Sequence, residues 1–173
     1  MPKIIPELRE RFIEAARDQL LRDHDITIRK VAKECETAVG TVYNYFPSKE
    51  ALLAAVMMDD WLACCRQMHE GAAAAGDPVS AIRQATAALR RFTASYAPLW
   101  RNYASARDSV DALSLRHRQI IRAISGVAGE VLERFSISGD AHLPEVLAEL
   151  ILLASRTDDG FERIAGVLER ILA

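Results

Sequence analysis

Twelve consecutive residues concentrate the chemistry of this chain: Val39-Gly40-Thr41-Val42-Tyr43-Asn44-Tyr45-Phe46-Pro47-Ser48-Lys49-Glu50. Thr41, Tyr43 and Asn44 offer hydroxyls and an amide, which hydrogen-bond to phosphates or to base edges, and Val39 and the Thr41 methyl suit the methyl group of thymine. Gly40 lets the backbone come close to another surface. Lys49 can reach a phosphate, helped by the positive N-terminal end of the helix it begins. Val42 and Phe46 are four residues apart and are expected to face inward together. Tyr43 and Tyr45 are assigned to the outer face. This is the chemistry of non-covalent recognition of double-stranded DNA.

Other groupings of reactive side chains are weaker. Cys64 and Cys65 are neighbours, so on a helix they point about 100° apart and form no ready chelate. His69 follows Cys65 by four residues, yet Cys and His on an apolar helix face usually pack. With Cys35 the thiols number three, which is no disulfide framework and fits a reducing compartment. Arg118 and Arg122, in the basic stretch Arg116-His117-Arg118, share a helix face and are candidates for holding an acidic ligand. Tyr96, Trp100 and Tyr103 recur at helical spacing, with Trp61 as a further aromatic; they are the candidate lining of a ligand pocket. No Ser/His/Asp set, paired-carboxylate motif, phosphate loop or metal-spaced Cys/His cluster is present. No catalytic residue, metal or cofactor is therefore assigned. An enzyme on a helical bundle, with a vestigial DNA module, is the alternative from another functional class.

Composition bounds the rest. Of 173 residues, half are hydrophobic and 27% charged, as in ordinary globular proteins. The net charge of −2 excludes a histone-like or basic-tail binder. Between Ile26 and Glu50 the bases Arg29, Lys30, Lys33 and Lys49 face the acids Glu34, Glu36 and Glu50, a local excess of +1. Non-specific DNA affinity should then be modest, and a dimer is needed for useful binding. No run approaches the ~20 apolar residues of a membrane span, and Met1 to Glu10 has no signal-peptide pattern. The expected location is cytoplasmic, without a membrane partner.

The elements that must position these groups read as helices throughout. A first helix is expected over about Pro6–Arg22, with Leu8, Phe12, Ile13, Ala16, Leu20 and Leu21 forming one apolar stripe. Thr27 starts a short second helix, capping it through its hydroxyl, that ends near Cys35. A tight turn at Glu36–Ala38 leads to a third helix over Val39–Tyr45, stopped by Pro47. Ser48 caps a long fourth helix over Lys49–Ala73, whose apolar face includes Leu52, Leu53, Val56, Leu62 and Met68. Asp77-Pro78 restarts the chain as N-cap and first helical residue. Further helices are expected at 78–95, 97–108, 111–135, 144–156 and 158–172, with Pro98 as the break between the first two and Asp158 or Asp159 capping the last. The fold class is all-α.

Two short helices joined by a tight turn and braced by longer ones make a helix-turn-helix unit, which offers its second helix to the major groove. From about Ile13 to Leu53 the chain resembles the tetracycline-repressor-like family of bacterial transcription regulators. The residues that carry the resemblance are Thr27-x-x-x-Val31-Ala32, then Gly40-Thr41-x-Tyr43-x-Tyr45-Phe46-x-x-Lys49-x-x-Leu52. The resemblance implies phosphate contacts for Thr27, Thr41, Tyr43 and Lys49, and base reading by Thr37, Val39 and Asn44. Two positions depart from the family pattern. Glu36 stands where a glycine usually relieves a left-handed backbone, at a modest strain. Ala38 stands where a serine usually caps the recognition helix, a loss of about 1 kcal/mol; Thr37 is the substitute cap if the helix starts one residue earlier.

The resemblance also implies an organisation and a mechanism. Residues 1–47 would form the DNA-binding module and 48–173 a helical module for ligand binding and dimerisation. The homodimer would pair its last two helices through Leu147, Leu150, Ile151, Ile164, Val167, Leu168 and Ile171. Two recognition helices in successive major grooves imply a near-palindromic operator. A small-molecule effector in the C-terminal module would release a repressor from that operator; control by a protein partner is the alternative.

Overall fold

The computed structural model describes residues 6–103 and 110–173, and the side chains of 7–97 and 117–173. The described residues form eight α-helices and no strand: α1 (Pro6–Asp23), α2 (Ile28–Glu34), α3 (Val39–Tyr45), α4 (Lys49–Ala74), α5 (Pro78–Tyr103), α6 (Val110–Arg134), α7 (Leu143–Ala154) and α8 (Gly160–Ile171). The chain divides into two compact units, Met1–Trp61 and Leu62–Ala173, with the division inside α4.

In the first unit the core is built from helical spacing. Phe12, Ile13, Ala16 and Leu20 of α1 are buried, as are Val31 and Ala32 of α2, Val42 of α3 and Leu52, Leu53 and Val56 of α4. Leu21, expected in the α1 stripe, is instead exposed. It lies about 100° round the helix from Leu20, beyond the strip that α1 covers. Arg17 braces α1 to α4 through Asp60, 2.6 Å away, and through Asp59.

Several helix ends close on left-handed residues that are not glycine: His24, Glu36 and Ser136 have φ of 56°, 56° and 55°. At Ser136 and Glu36 the paired backbone bonds of a Schellman motif offset part of that strain. Asp77 caps α5, its carboxylate accepting the Ser80 N–H at 2.8 Å. These bonds from Ser80 hold the Asp77 carboxyl below its ordinary range.

In the second unit α7 packs against α5, α6 and α8, and α5 also packs against α6 and α8. The guanidinium of Arg134 donates to the carbonyls of Ala72 and Ala75, closing the end of α4. Pro98 does not split α5, which continues to Tyr103. A proline inside a helix removes one N–H and crowds the carbonyl four residues back, a cost of about 3 kcal/mol, and the helix-forming sequence on both sides carries the helix through. The rest of the expected 97–108 helix lies largely outside the described residues. Leu62, expected on the apolar face of α4, is half exposed. Asp159 precedes α8 but makes no side-chain cap bond, and Asp158 pairs with Arg90 instead. Gly160 is required by close approach: a Cβ there would lie 2.0 Å from the carbonyl oxygen of Ala154.

Candidate nucleic-acid interface

The turn between α2 and α3 is set by backbone bonds. Glu36 N–H donates to Lys33 O at 3.1 Å and Thr37 N–H to Ala32 O at 2.9 Å, which fixes Glu36 as the left-handed residue. Thr37 does not take the capping role open to it, because its hydroxyl turns back toward Ala32 O at 3.5 Å. Ala38 occupies the N-cap in an extended conformation with no side-chain bond to α3. Thr27 also differs from expectation. It is the N-cap of α2, but its hydroxyl makes no cap bond. Its backbone N–H is held by Gln19 Oε1 at 3.1 Å. Gln19 is fully buried, and its role was illegible in the sequence because a lone Gln on α1 reads as a surface residue. Ser48 does cap α4, its hydroxyl accepting the Ala51 N–H at 3.1 Å.

These bonds orient α3. Val42 and Phe46 are buried as expected, so the opposite face is turned outward. At about 100° per residue, Gly40 and Asn44 lie within about 20° of the point directly opposite Val42. Both are exposed, and a Cβ on Gly40 would meet nothing within 4 Å. Tyr43 is 48% exposed beside them, Val39 is exposed at the start of the helix and Thr41 is half-buried. Tyr45, assigned to the outer face, instead turns its ring edge-on to Phe12 with centroids 5.5 Å apart. Aromatic edge-to-face packing holds that half-buried ring against α1.

The charges round this face are largely paired. Lys49 Nζ donates to Asp25, Lys30 Nζ to Asp23 at 2.9 Å, and Arg22 to both Glu34 and Asp23. The hydrogen bond from Lys49 holds the Asp25 carboxyl below its ordinary range, and that from Lys30 does the same for Asp23. Arg29 and Lys33 are exposed and have no carboxylate partner among the described residues. Sequence reading counted these two with the other bases; only the three-dimensional pairing separates them. Cys35 is buried in the turn, and burial raises its thiol pKa, which disfavours the reactive thiolate.

The candidate pocket and dimer residues fall less neatly. Tyr96 is buried against Phe92, ring centroids 5.0 Å apart. Trp61 belongs to the first unit and Tyr96 to the second. The side chains of Trp100 and Tyr103 lie outside the described residues. Arg118 and Arg122 are exposed on α6 and do not join Tyr96 in its buried site. An open cleft in the second unit is lined by Arg90, Ala94, Ala97 and the segment Arg156–Asp159. Of the dimer candidates, Leu147, Ile151 and Leu168 are fully covered within their own unit and Ile164 nearly so. A covered side chain has no surface left to give a partner, so these four are corrected to core residues. Val167 is exposed, Leu150 and Ile171 are half-buried, and Val146 and Leu153 add exposed apolar surface that the sequence reading passed over. Among the described residues no cluster of His, Cys, Asp and Glu could hold a metal ion. No helix among them is long and apolar enough to cross a membrane.

Comparison with known proteins agrees with this geometry. Residues 13–56 match the family of bacterial regulatory proteins described as the tetR family. Three solved structures share the fold. A transcriptional regulator from Cytophaga hutchinsonii superposes with a TM-score of 0.72 at 15% identity, covering 95% of this chain and 98% of its own. RolR in complex with resorcinol gives 0.57 at 20% identity, covering 96% and 88%. The R. erythropolis transcriptional repressor QsdR, of the TetR family, gives 0.56 at 13% identity, covering 98% and 96%. No curated protein matches the chain in sequence.

Proposed function

From the match of residues 13–56 to the tetR family of bacterial regulatory proteins, we propose a homodimeric repressor that binds a near-palindromic operator and leaves it when a small molecule binds the C-terminal module. The observation that carries this reading is the outer face of α3. It is exposed, uncharged and rich in hydrogen-bonding groups, directly opposite the buried Val42. That arrangement suits base edges in a major groove better than it suits solvent.

In this reading residues 1–47 form the DNA-binding module, joined at the DNA by Lys49, and 48–173 bind the effector and the second protomer. Thr27, Thr41, Tyr43 and Lys49 meet phosphates; Thr37, Val39 and Asn44 face the bases. Arg29 and Lys33 supply the unpaired positive charge. The second protomer covers Val146, Leu150, Leu153, Val167 and Ile171. The effector occupies the second unit, with Tyr96 as an aromatic neighbour. The fold shared with RolR, solved with resorcinol, supports a small-molecule effector, and that shared with the repressor QsdR supports repression. DNA and effector then weaken each other equally, as linkage requires.

The test is binding of the full chain to duplex DNA across a salt series, beside its mass in solution. A dimer whose affinity for one selected duplex falls steeply with salt supports the reading. A monomer, or affinity equal for all duplexes, sinks it.

A further inference from the structure

The reading of α3 as the groove helix can be sharpened into a statement about which bases it reads, and the inference rests on that reading. We infer that the base pairs beneath α3 are A·T pairs, with Asn44 as the central reader, its carboxamide bonding the N6 and N7 edge of one adenine. Three observations converge on this.

The first is position. Gly40 and Asn44 are the residues of α3 most nearly opposite the buried Val42, so they meet the floor of the groove first. Of the two, only Asn44 has a side chain. The second is reach. The Asn side chain is short, so it reads a base edge only when the helix backbone lies close to it. Gly40, one turn before Asn44, removes the side chain that would hold the backbone off, and the space beside it is open.

The third is the donor set. Guanine is read best by the forked donors of Arg or by Lys, adenine by the paired donor and acceptor of Asn or Gln, and thymine by apolar contact with its methyl. The helix Val-Gly-Thr-Val-Tyr-Asn-Tyr contains no Arg or Lys. The nearby Lys49, Lys30 and Arg22 are held by carboxylates. Arg29 and Lys33 lie on α2, the helix that crosses the sugar–phosphate backbone in this motif. With the Thr41 and Tyr43 hydroxyls given to phosphates, what remains on α3 for the bases is one carboxamide for adenine and the methyls of Val39 for thymine.

The experiment is selection of a random duplex library by the purified full chain at about physiological salt, then binding to the selected duplex and its analogues. Three probes are used: 7-deazaadenine, which lacks the N7 acceptor; uracil for thymine, which lacks the methyl; and Asn44→Ala. The expected result is a near-palindromic site with fixed A·T pairs in each half. One 7-deazaadenine position should weaken wild-type binding about 5- to 100-fold, and the same analogue should cost Asn44→Ala nothing further. Uracil at the neighbouring thymines should weaken binding without any change to the protein. Half-sites fixed by G·C pairs, or an Asn44→Ala variant that loses affinity equally for all sequences, would overturn the inference while leaving specific DNA binding intact. No enriched site at all from folded, dimeric protein would overturn the reading beneath it.

Discussion

Two faces of this molecule expose apolar side chains, and they do so differently. On α3, Val39 and Tyr43 alternate with Gly40, Thr41 and Asn44, so every apolar group has a hydrogen-bonding neighbour. On α7 and α8, Val146, Leu150, Leu153, Val167 and Ile171 stand among ordinary helix-surface residues and over a core already filled by Leu147, Ile151, Ile164 and Leu168. A mixed face suits a partner with its own donors, acceptors and methyl groups, as DNA has. An apolar face suits another protein surface of the same kind. The difference lies in what alternates with the apolar residues, since both faces are similarly exposed.

The largest expected effect breaks the apolar face. Leu153→Glu with Val167→Glu places charge on exposed positions, so each protomer should fold while sedimentation reports monomers. Loss of bivalency should then weaken operator binding by roughly 10²- to 10⁴-fold. A double variant that stays dimeric would put the dimer interface elsewhere. Leu147→Ala sharpens the same contrast from behind. It empties a covered core position and should cost about 2–5 kcal/mol of folding stability, with no selective effect on dimerisation. On the mixed face, Tyr43→Ala should leave the melting temperature unchanged, because the side chain is 48% exposed. It should weaken duplex binding about tenfold, read by fluorescence anisotropy.

These contrasts show where sequence is informative. The helix-turn-helix is legible because its constraints are local: a three-residue turn, Val42 and Phe46 one turn apart, a serine before α4. The missing cap at Ala38 follows from residue type, and the left-handed backbone at Glu36 from the family resemblance; the structure shows both. The proposed dimer face is not legible in the same way. On α7, core and surface apolar residues alternate within one amphipathic run, and Leu147 and Val146 differ only by about 100° of rotation. Which of them is covered depends on where α5, α6 and α8 lie. Gln19 and the ion pairs round the mixed face are invisible for the same reason, since Gln19 meets Thr27 and Lys49 meets Asp25 only after folding. Pro98 misleads because its local penalty is real and the helix-forming sequence on both sides outweighs it.

Glu36→Gly tests the cost of the turn that presents α3. The left-handed conformation at φ 56° should relax by about 1 kcal/mol, less the extra entropy glycine gives the unfolded chain. A domain of this size should gain at most about 2–4 °C in melting temperature. Duplex binding should also tighten slightly, because a negative charge leaves the neighbourhood of phosphates. An unchanged melting temperature would mean that the Schellman bonds already absorb the strain.

The smallest effect concerns the charges that flank the mixed face. Asp25 holds Lys49, a residue proposed to meet phosphate. Carboxylate and phosphate therefore compete for one ammonium. Asp25→Asn frees it, and duplex affinity should rise a few-fold at low salt, with the slope of log affinity against log salt steepening by about 1. The sign of the accompanying pH effect is fixed by the fold. The Asp25 carboxyl sits below its ordinary range because Lys49 donates to it, so the pair's contribution to stability is complete above an unfolded pKa of about 3.9. It is lost as pH falls through the lower folded value. Both groups are solvent-exposed enough that this contribution is small and screened by salt. Asp25→Asn should therefore flatten the acid limb of the stability curve only slightly while changing DNA affinity visibly. If the variant instead loses stability broadly and gains no affinity, Asp25 is a structural anchor for Lys49, and the positive charge offered to phosphates must come from Arg29 and Lys33.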